Sequence, residues 1–274
     1  MRIKKILQSI LYNSVAWFFS LIMLIPLLII LINAFKTSIE AKTMSLALPK
    51  EWIFSNFMVV IERGKLGVSF LNSFLYSTAS VLLCVFFGSL ASYVLSRNRT
   101  KLNKIIYFII VLGIAMPVNF VSLMKVMQLF HLSNSRIGII LLHTATQLPF
   151  TVFLIYSFIA KLPKELDEAG LVDGATPIKL FVYIIFPVLK PVLVTAGILI
   201  FLNTWNDFIY PLYYLNKSSK WPMTLAVYNF FGMYFKDFNL ISADVILTSL
   251  PVIIIYLIGQ KYIVTGMVSG AVKS

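Results

Sequence analysis

Asn203, Asn206, Asp207 and Tyr210, in the run NTWNDFIYP, form the densest polar group within an apolar part of this chain. Their i, i+3 and i+4 spacing predicts one shared helix face. Carboxamides and a carboxylate suit a hydroxyl-rich ligand, and Trp205 or Tyr210 offers a flat face on which a ring can stack. The plainer readings stand beside this one: an interfacial aromatic belt is the stronger account of Trp205, and a helix-packing hydrogen bond accounts equally well for Asn206 and Asp207.

The second chemically distinctive stretch, 161–191, is the long charged interruption in the second half of the chain. Leu162, Leu166 and Ala169 recur at helical spacing among Lys164, Glu165, Asp167 and Glu168, which predicts a short amphipathic helix. Asp173 and Gly174 supply turn chemistry, and Thr176 followed by Pro177 reads as an N-cap with proline at the first helical position. Helix, glycine turn and helix make a hairpin too polar for lipid and suited to a partner's groove. Gly170 and Gly174 would admit close backbone approach. A solvated loop stabilised by its own charges accounts for the same pattern about as well.

The elements that must carry these stretches are apolar. Hydrophobic residues make up 59% of the chain and charged residues 12%, with a mean hydropathy of +0.91, against roughly 25% charged in soluble domains. This composition predicts an all-α integral membrane protein forming one polytopic domain. Apolar runs at about 12–35, 70–95, 105–123, 137–159, 192–212 and 245–264 are each close to the ~20 residues that cross a bilayer, giving six transmembrane helices. The organisation expected is an N-terminal helix with an outer loop over 1–69, a core over 70–264 and a tail over 265–274. The connection RNRTKLNK carries Arg97, Arg99, Lys101 and Lys104 without an acid. The positive-inside rule makes it cytoplasmic, and with it both termini and the 161–191 loop.

The formal net charge of +13 does not point to nucleic acid, because the basic residues flank apolar runs instead of clustering with exposed aromatics. Cys84 is the sole cysteine, so no disulfide or cysteine metal site is expected. His131 and His143 have no nearby ligand set, and packing or interfacial roles fit them better than metal. No GxxxxGK[ST] occurs, since Gly64-Lys65 is followed by Leu66. Neither a nucleophile elbow nor HExxH is present, so nothing positive supports an enzyme. Asp244 is expected at the outer surface as a structural cap.

EAGLVDGA, followed by Ile184 and Pro187, resembles the cytoplasmic-loop signature of permease subunits of binding-protein-dependent ABC importers, the type I transmembrane domain. Glu168, Ala169, Gly174, Ile184 and Pro187 fall on its pattern. Gly170 stands where alanine is usual and Phe186 where leucine is usual. The glycine should loosen the helix by roughly 1 kcal/mol. WND in the fifth span and the closing IGQKYIVTGMVSGAVKS resemble the corresponding parts of sugar permeases, the tail being similar to that of the second permease of maltose-type systems. The resemblance implies an ATP-driven sugar importer subunit, most closely one for a di- or oligosaccharide, with a monosaccharide derivative or glycerol phosphate as the alternative. It implies ATPase coupling through Glu168, Ala169, Gly170, Asp173, Gly174 and Ala175, a substrate pathway past Asn203, Asn206, Asp207 and Tyr210, and a tail contact with the ATPase at Gly266, Gly270 and Lys273. It further implies location in a bacterial cell membrane and, as partners, a second homologous permease, two ATPase subunits that hold the ATP and Mg, and an extracytoplasmic sugar-binding protein. A self-contained channel or ion-driven carrier is the rival of a different class.

Overall fold

The computed structural model describes the backbone of residues 2–230 and 237–271, with side chains over 10–230 and 237–262. All regular structure among the described residues is helical. The chain divides into two compact units, Met1–Gly67 with Ala226–Leu250 and Val68–Leu225 with Pro251–Ser274.

In the first unit, helix α1 (Arg2–Asn33) contains an apolar stretch, Ile10–Asn33, long enough to cross a membrane. Just past its end Lys36 is buried, with its Nζ donating to Asn33 Oδ1 (3.1 Å), Ser45 O (2.8 Å) and Ser45 Oγ (3.2 Å). Three acceptors match the three donors of an ammonium, which is how a buried lysine is tolerated without a carboxylate. The short helix α2 (Ser38–Ala41) starts from a capping box between Thr37 and Glu40.

Helix α3 (Ser55–Arg63) is tied down by one residue, Asn56. Its amide donates to Ala34 O (2.8 Å) and Lys36 O (2.9 Å), and its oxygen accepts from Asn239 Nδ2 (3.0 Å). Asn239 lies in the first turn of the last helix, α14 (Phe238–Ala271). The Asn33 end of α1 and the Phe238 end of α14 are therefore on one side, and the chain between them crosses an even number of times. Because α14 starts at Phe238, ahead of the expected 245, Asp244 is buried in its second turn and is not a surface cap.

The second unit is built on helix α4 (Leu66–Arg97) and helices α5 (Lys101–Leu112), α6 (Phe120–Leu129) and α7 (Arg136–Ile159). Along α4 the small residues Ser80, Cys84, Gly88, Ser92 and Ser96 repeat every fourth position and are all buried. Ser80 Oγ, Cys84 Sγ and Ser92 Oγ donate to the carbonyls of Ile140, Thr144 and Val152, in each case sixty residues further on. A Cβ on Gly88 would lie 2.7 Å from Thr151 Cγ2. The constant offset makes α4 and α7 parallel, packed through a small-residue seam of the kind that joins helices in lipid.

Consecutive parallel helices require the connection to recross. Helix α5 does so antiparallel to α7, with Tyr107 stacked on Tyr156 at 3.9 Å and Gly113 against Pro149. The expected third span, 105–123, is thus not one helix. It breaks after Leu112, passes Pro117, and resumes as α6. Among the described residues four helices are long and apolar enough to cross alone: Ile10–Asn33, Leu66–Arg97, Arg136–Ile159 and Phe238–Tyr262. Pro177–Val188 and helix α11 (Lys190–Asn206) pass the same length and apolarity criterion only together, joined at a 74° bend. Two of the six expected spans are not single helices: 105–123 is interrupted between Leu112 and Phe120, and 192–212 at Asp207. Within this unit α11 runs antiparallel to α4, with Phe201 meeting Phe74 and Trp205 meeting Phe70. It also runs antiparallel to α14, with Thr195 Oγ1 donating to Tyr262 O at 2.9 Å.

Asn56→Ala should leave the Asn239 amide and two carbonyls unpaired, at ~1–3 kcal/mol per buried group. Thermal unfolding in nanodiscs is expected to show a lowered midpoint for this variant and none for Ser55→Ala on the exposed neighbour.

Candidate functional site

The hairpin over 161–191 folds from local rules. Helix α8 (Glu165–Val172) carries Glu165, Asp167 and Glu168 in its first turn, where they complement the helix dipole. It closes in a Schellman turn: Gly174 at φ +80° donates to Leu171 O and Ala175 donates to Gly170 O, both at 3.0 Å. Thr176 then accepts from Lys179 N–H and caps the short helix α9 (Pro177–Lys179), which continues through a π-helical turn, Leu180–Ile185, and α10 (Phe186–Val188). Gly170 is buried where the two arms meet. A Cβ there would fall 2.5 Å from Leu180 Cδ1 and 2.7 Å from Ile184 Cδ1. The buried side of α8 is therefore Leu166 and Gly170, and Ala169, expected in the apolar stripe, faces out.

The hairpin is fastened to α4 by charge. Arg97 Nη2 lies 2.7 Å from Asp167 Oδ2, and Tyr93 Oη donates to Asp167 Oδ1 at 2.6 Å. Arg97 also donates to Leu162 O (3.1 Å), Pro163 O (3.4 Å) and Ile159 O (3.5 Å), which lie at and just beyond the end of α7. One guanidinium thus joins α4, the end of α7 and α8. Glu168, Asp173 and Gly174 stay exposed, and so do apolar residues that sequence reasoning passed over: Val172 is 87% exposed and Ile178 77%. Asp167 and Arg97 were readable only as solvated charges, since their pairing spans seventy residues.

The polar group near residue 207 is arranged otherwise than the spacing predicts. Helix α11 ends at Asn206, and Asp207 turns into extended backbone at φ −71°, ψ 128°. Its carboxylate accepts from the N–H groups of Ile209 (3.1 Å) and Tyr210 (3.2 Å) and opens helix α12 (Ile209–Tyr214), while its carbonyl accepts from Thr224 Oγ1 (2.8 Å). The four residues do not share a helix face. Asn203 and Asn206 are exposed on the last turn of α11, whereas Asp207 and Tyr210 belong to the turn that follows. Trp205 is buried between Phe70 and Phe201, so it is a core residue and offers no stacking face. His143, which sequence alone assigns to packing, is buried on α7 with Nε2 3.6 Å from Asp207 Oδ2 and its ring edge-on to Tyr210 at 5.6 Å.

The segment after α12 is folded down, not slack. Asn72 Nδ2 donates to Ser219 O and Trp221 O, Tyr76 Oη to Lys220 O, and Arg136 Nη2 to Ser219 O. Short helical turns follow at Ser218–Lys220 and α13 (Met223–Ala226). Of the tail positions, Gly266 and Gly270 fall within α14 as backbone only, and Lys273 lies outside the described residues.

The family described as "Binding-protein-dependent transport system inner membrane component" matches residues 84–269. The chain is 36% identical over 243 residues to the melibiose/raffinose/stachyose import permease protein MelC of Bacillus subtilis strain 168, covering 86% of this chain and 88% of MelC. It is 33% identical over 256 residues to the probable starch degradation products transport system permease protein AmyC of Thermoanaerobacterium thermosulfurigenes, covering 93% of each. Its fold is similar to a chain from the crystal structure of a bacterial ABC transporter involved in the import of the acidic polysaccharide alginate, with a TM-score of 0.82, 20% identity and coverage of 93% and 95%. On the strength of a family match over well more than half its length, the chain belongs to the inner membrane components of binding-protein-dependent transport systems, the permease subunits of ABC importers.

Proposed function

We propose that this chain forms one half of the translocation pathway for a di- or oligosaccharide and is driven by an ATPase subunit that docks on the 161–191 hairpin. The observation that carries the coupling role is the Arg97–Asp167 link, which turns a surface hairpin into a rigid extension of α4 and α7. Exposed Val172 and Ile178 beside Glu168 and Asp173 give the hairpin an apolar centre with an acidic rim, the make-up of a docking knob. ATP-driven closure of the ATPases would then displace the hairpin, and the paired helices would carry that displacement to the pathway.

The substrate class rests on the relatives, whose names include melibiose, raffinose, stachyose and starch degradation products. Asn203 and Asn206 are the pathway residues best suited to sugar hydroxyls, being exposed carboxamides one turn apart. Asp207 and Tyr210 set the shape of the site, the first by capping α12. In the assembly proposed here the complex holds a second homologous permease, two ATPase subunits that bind ATP and Mg, and an extracytoplasmic sugar-binding protein. The basic connection after Arg97 supports a cytoplasmic hairpin and cytoplasmic termini, and in this reading the tail with Gly266, Gly270 and Lys273 reaches an ATPase.

Three outcomes test this reading. Gly174→Val places a β-branched residue at a positive φ and should abolish substrate-stimulated ATPase activity in the reconstituted complex while membrane insertion, scored by fractionation, is retained. Arg97→Ala should leave basal ATPase activity and lower transport at least about tenfold, equivalent to ~1.4 kcal/mol; unchanged vesicle uptake would refute the coupling role. Asn203→Ala with Asn206→Ala should raise the half-saturating sugar concentration with assembly unaffected, whereas unaltered uptake kinetics would make both residues structural.

A further inference from the structure

Helix α3 has a buried face and an exposed apolar one. Asn56, Val60 and Gly64 form the buried row, while Phe54, Met58 and Ile61 lie exposed along the opposite side. Met58 is 58% exposed and Phe54 67%, and Trp52 beside them is 51% exposed. Trp52, Phe54 and Phe57 surround Phe35 with ring centroids 5.2–5.4 Å away. The rim carries Lys50, Glu51, Glu62, Arg63 and Lys65, all exposed. An amphipathic helix with aromatic residues and a charged rim fits a membrane interface.

The height of this surface is fixed by the spans it is tied to. Ile53 N–H donates to Phe35 O at 2.8 Å, and the Asn56 amide reaches Ala34 O and Lys36 O, within three residues of the end of the apolar α1 stretch. Asn56 also accepts from Asn239 in the first turn of α14. The Asn33 end of one span and the Phe238 end of another thus both put α3 where hydrocarbon gives way to headgroups. The apolar side chains of α1 are likewise exposed.

We propose that Trp52, Phe54, Met58 and Ile61 form an interfacial anchor that lies in the phospholipid leaflet at the Asn33 end of α1, with α3 in the membrane plane. Aromatic side chains at this level hold a span in register with the bilayer, and Asn56 on the same helix ties that level to the first turn of α14. This surface contacts lipid and not the extracytoplasmic binding protein.

The test uses the whole complex in nanodiscs of phosphatidylethanolamine and phosphatidylglycerol, in a Cys84→Ser background that keeps the hydrogen-bond donor to Thr144 O. A nitroxide is attached at Met58→Cys, at Ile61→Cys as a second site on the same stripe, and at Arg63→Cys on the polar side. The stripe is expected to favour oxygen over an aqueous nickel relaxant and to report a depth of ~5–10 Å below the phosphates, with Arg63→Cys reading as water-exposed. Equal nickel access at Met58, Ile61 and Arg63 would overturn the proposal. Stripe probes that are wetted alone and shielded only on adding the sugar-binding protein would overturn it in favour of a protein docking surface.

Discussion

The fold of the second unit depends on close approach of two parallel helices in a medium that gives little reward for apolar contact. Lipid tails solvate leucine as well as another helix does, so α4 and α7 must associate through packing and interhelical hydrogen bonds. The every-fourth-residue row Ser80, Cys84, Gly88, Ser92, Ser96 does this by removing bulk and by supplying donors to α7 carbonyls at 3.1–3.5 Å. Each such bond contributes only ~0.6 kcal/mol on average, so the seam works by its length and by the close contact at Gly88.

Much else follows from that pairing. Parallel helices bring the ends of α4 and α7 together, which is why Arg97 can reach Ile159 O, Leu162 O and Pro163 O and close on Asp167. At the opposite ends Asn72 and Arg136 meet at 3.0 Å and share the carbonyl of Ser219, so the same register seats the segment after α12. One helix pair therefore positions the hairpin at one end and the loop beyond α12 at the other. A shift along the seam would be felt at both.

Legibility in the sequence divided along the same line. The hairpin was readable because its signals are local: Asp173-Gly174 and Thr176-Pro177 each act within a few residues, and the Schellman turn and the Thr176 cap appear where they predict. The membrane class was readable from composition. Partners seventy residues apart were not, so Arg97 and Asp167 looked like two solvated charges and His143 like ordinary packing. The i, i+3, i+4 argument at Asn203 to Tyr210 presumed an unbroken helix, and Asp207 ends it. Hydropathy counted 105–123 and 192–212 as whole spans because apolarity averages over the breaks after Leu112 and at Asp207. Gly170 looked like a weakness in α8, yet its missing Cβ is what lets Leu180 and Ile184 pack against it.

Those two breaks meet. Phe120, which opens α6, stacks on Tyr213 at 4.9 Å and accepts from Tyr214 Oη at 2.9 Å, and it also lies 6.0 Å from the Tyr210 ring. Backbone that is neither helix nor strand is tolerated at membrane depth only where protein buries it or where it lines a water-filled cavity. Here side chains satisfy it: Asn119 accepts from Ser122 N–H, Asp207 accepts from Ile209 and Tyr210, and Thr224 donates to Asp207 O. Asp207 and Tyr214 thus have their polar groups committed to the backbone, which separates them from Asn203 and Asn206, whose amides project from an intact helical turn. Polar residues in an apolar chain have two uses, sustaining irregular backbone and meeting a ligand, and the hydrogen-bond partners of each residue decide between them.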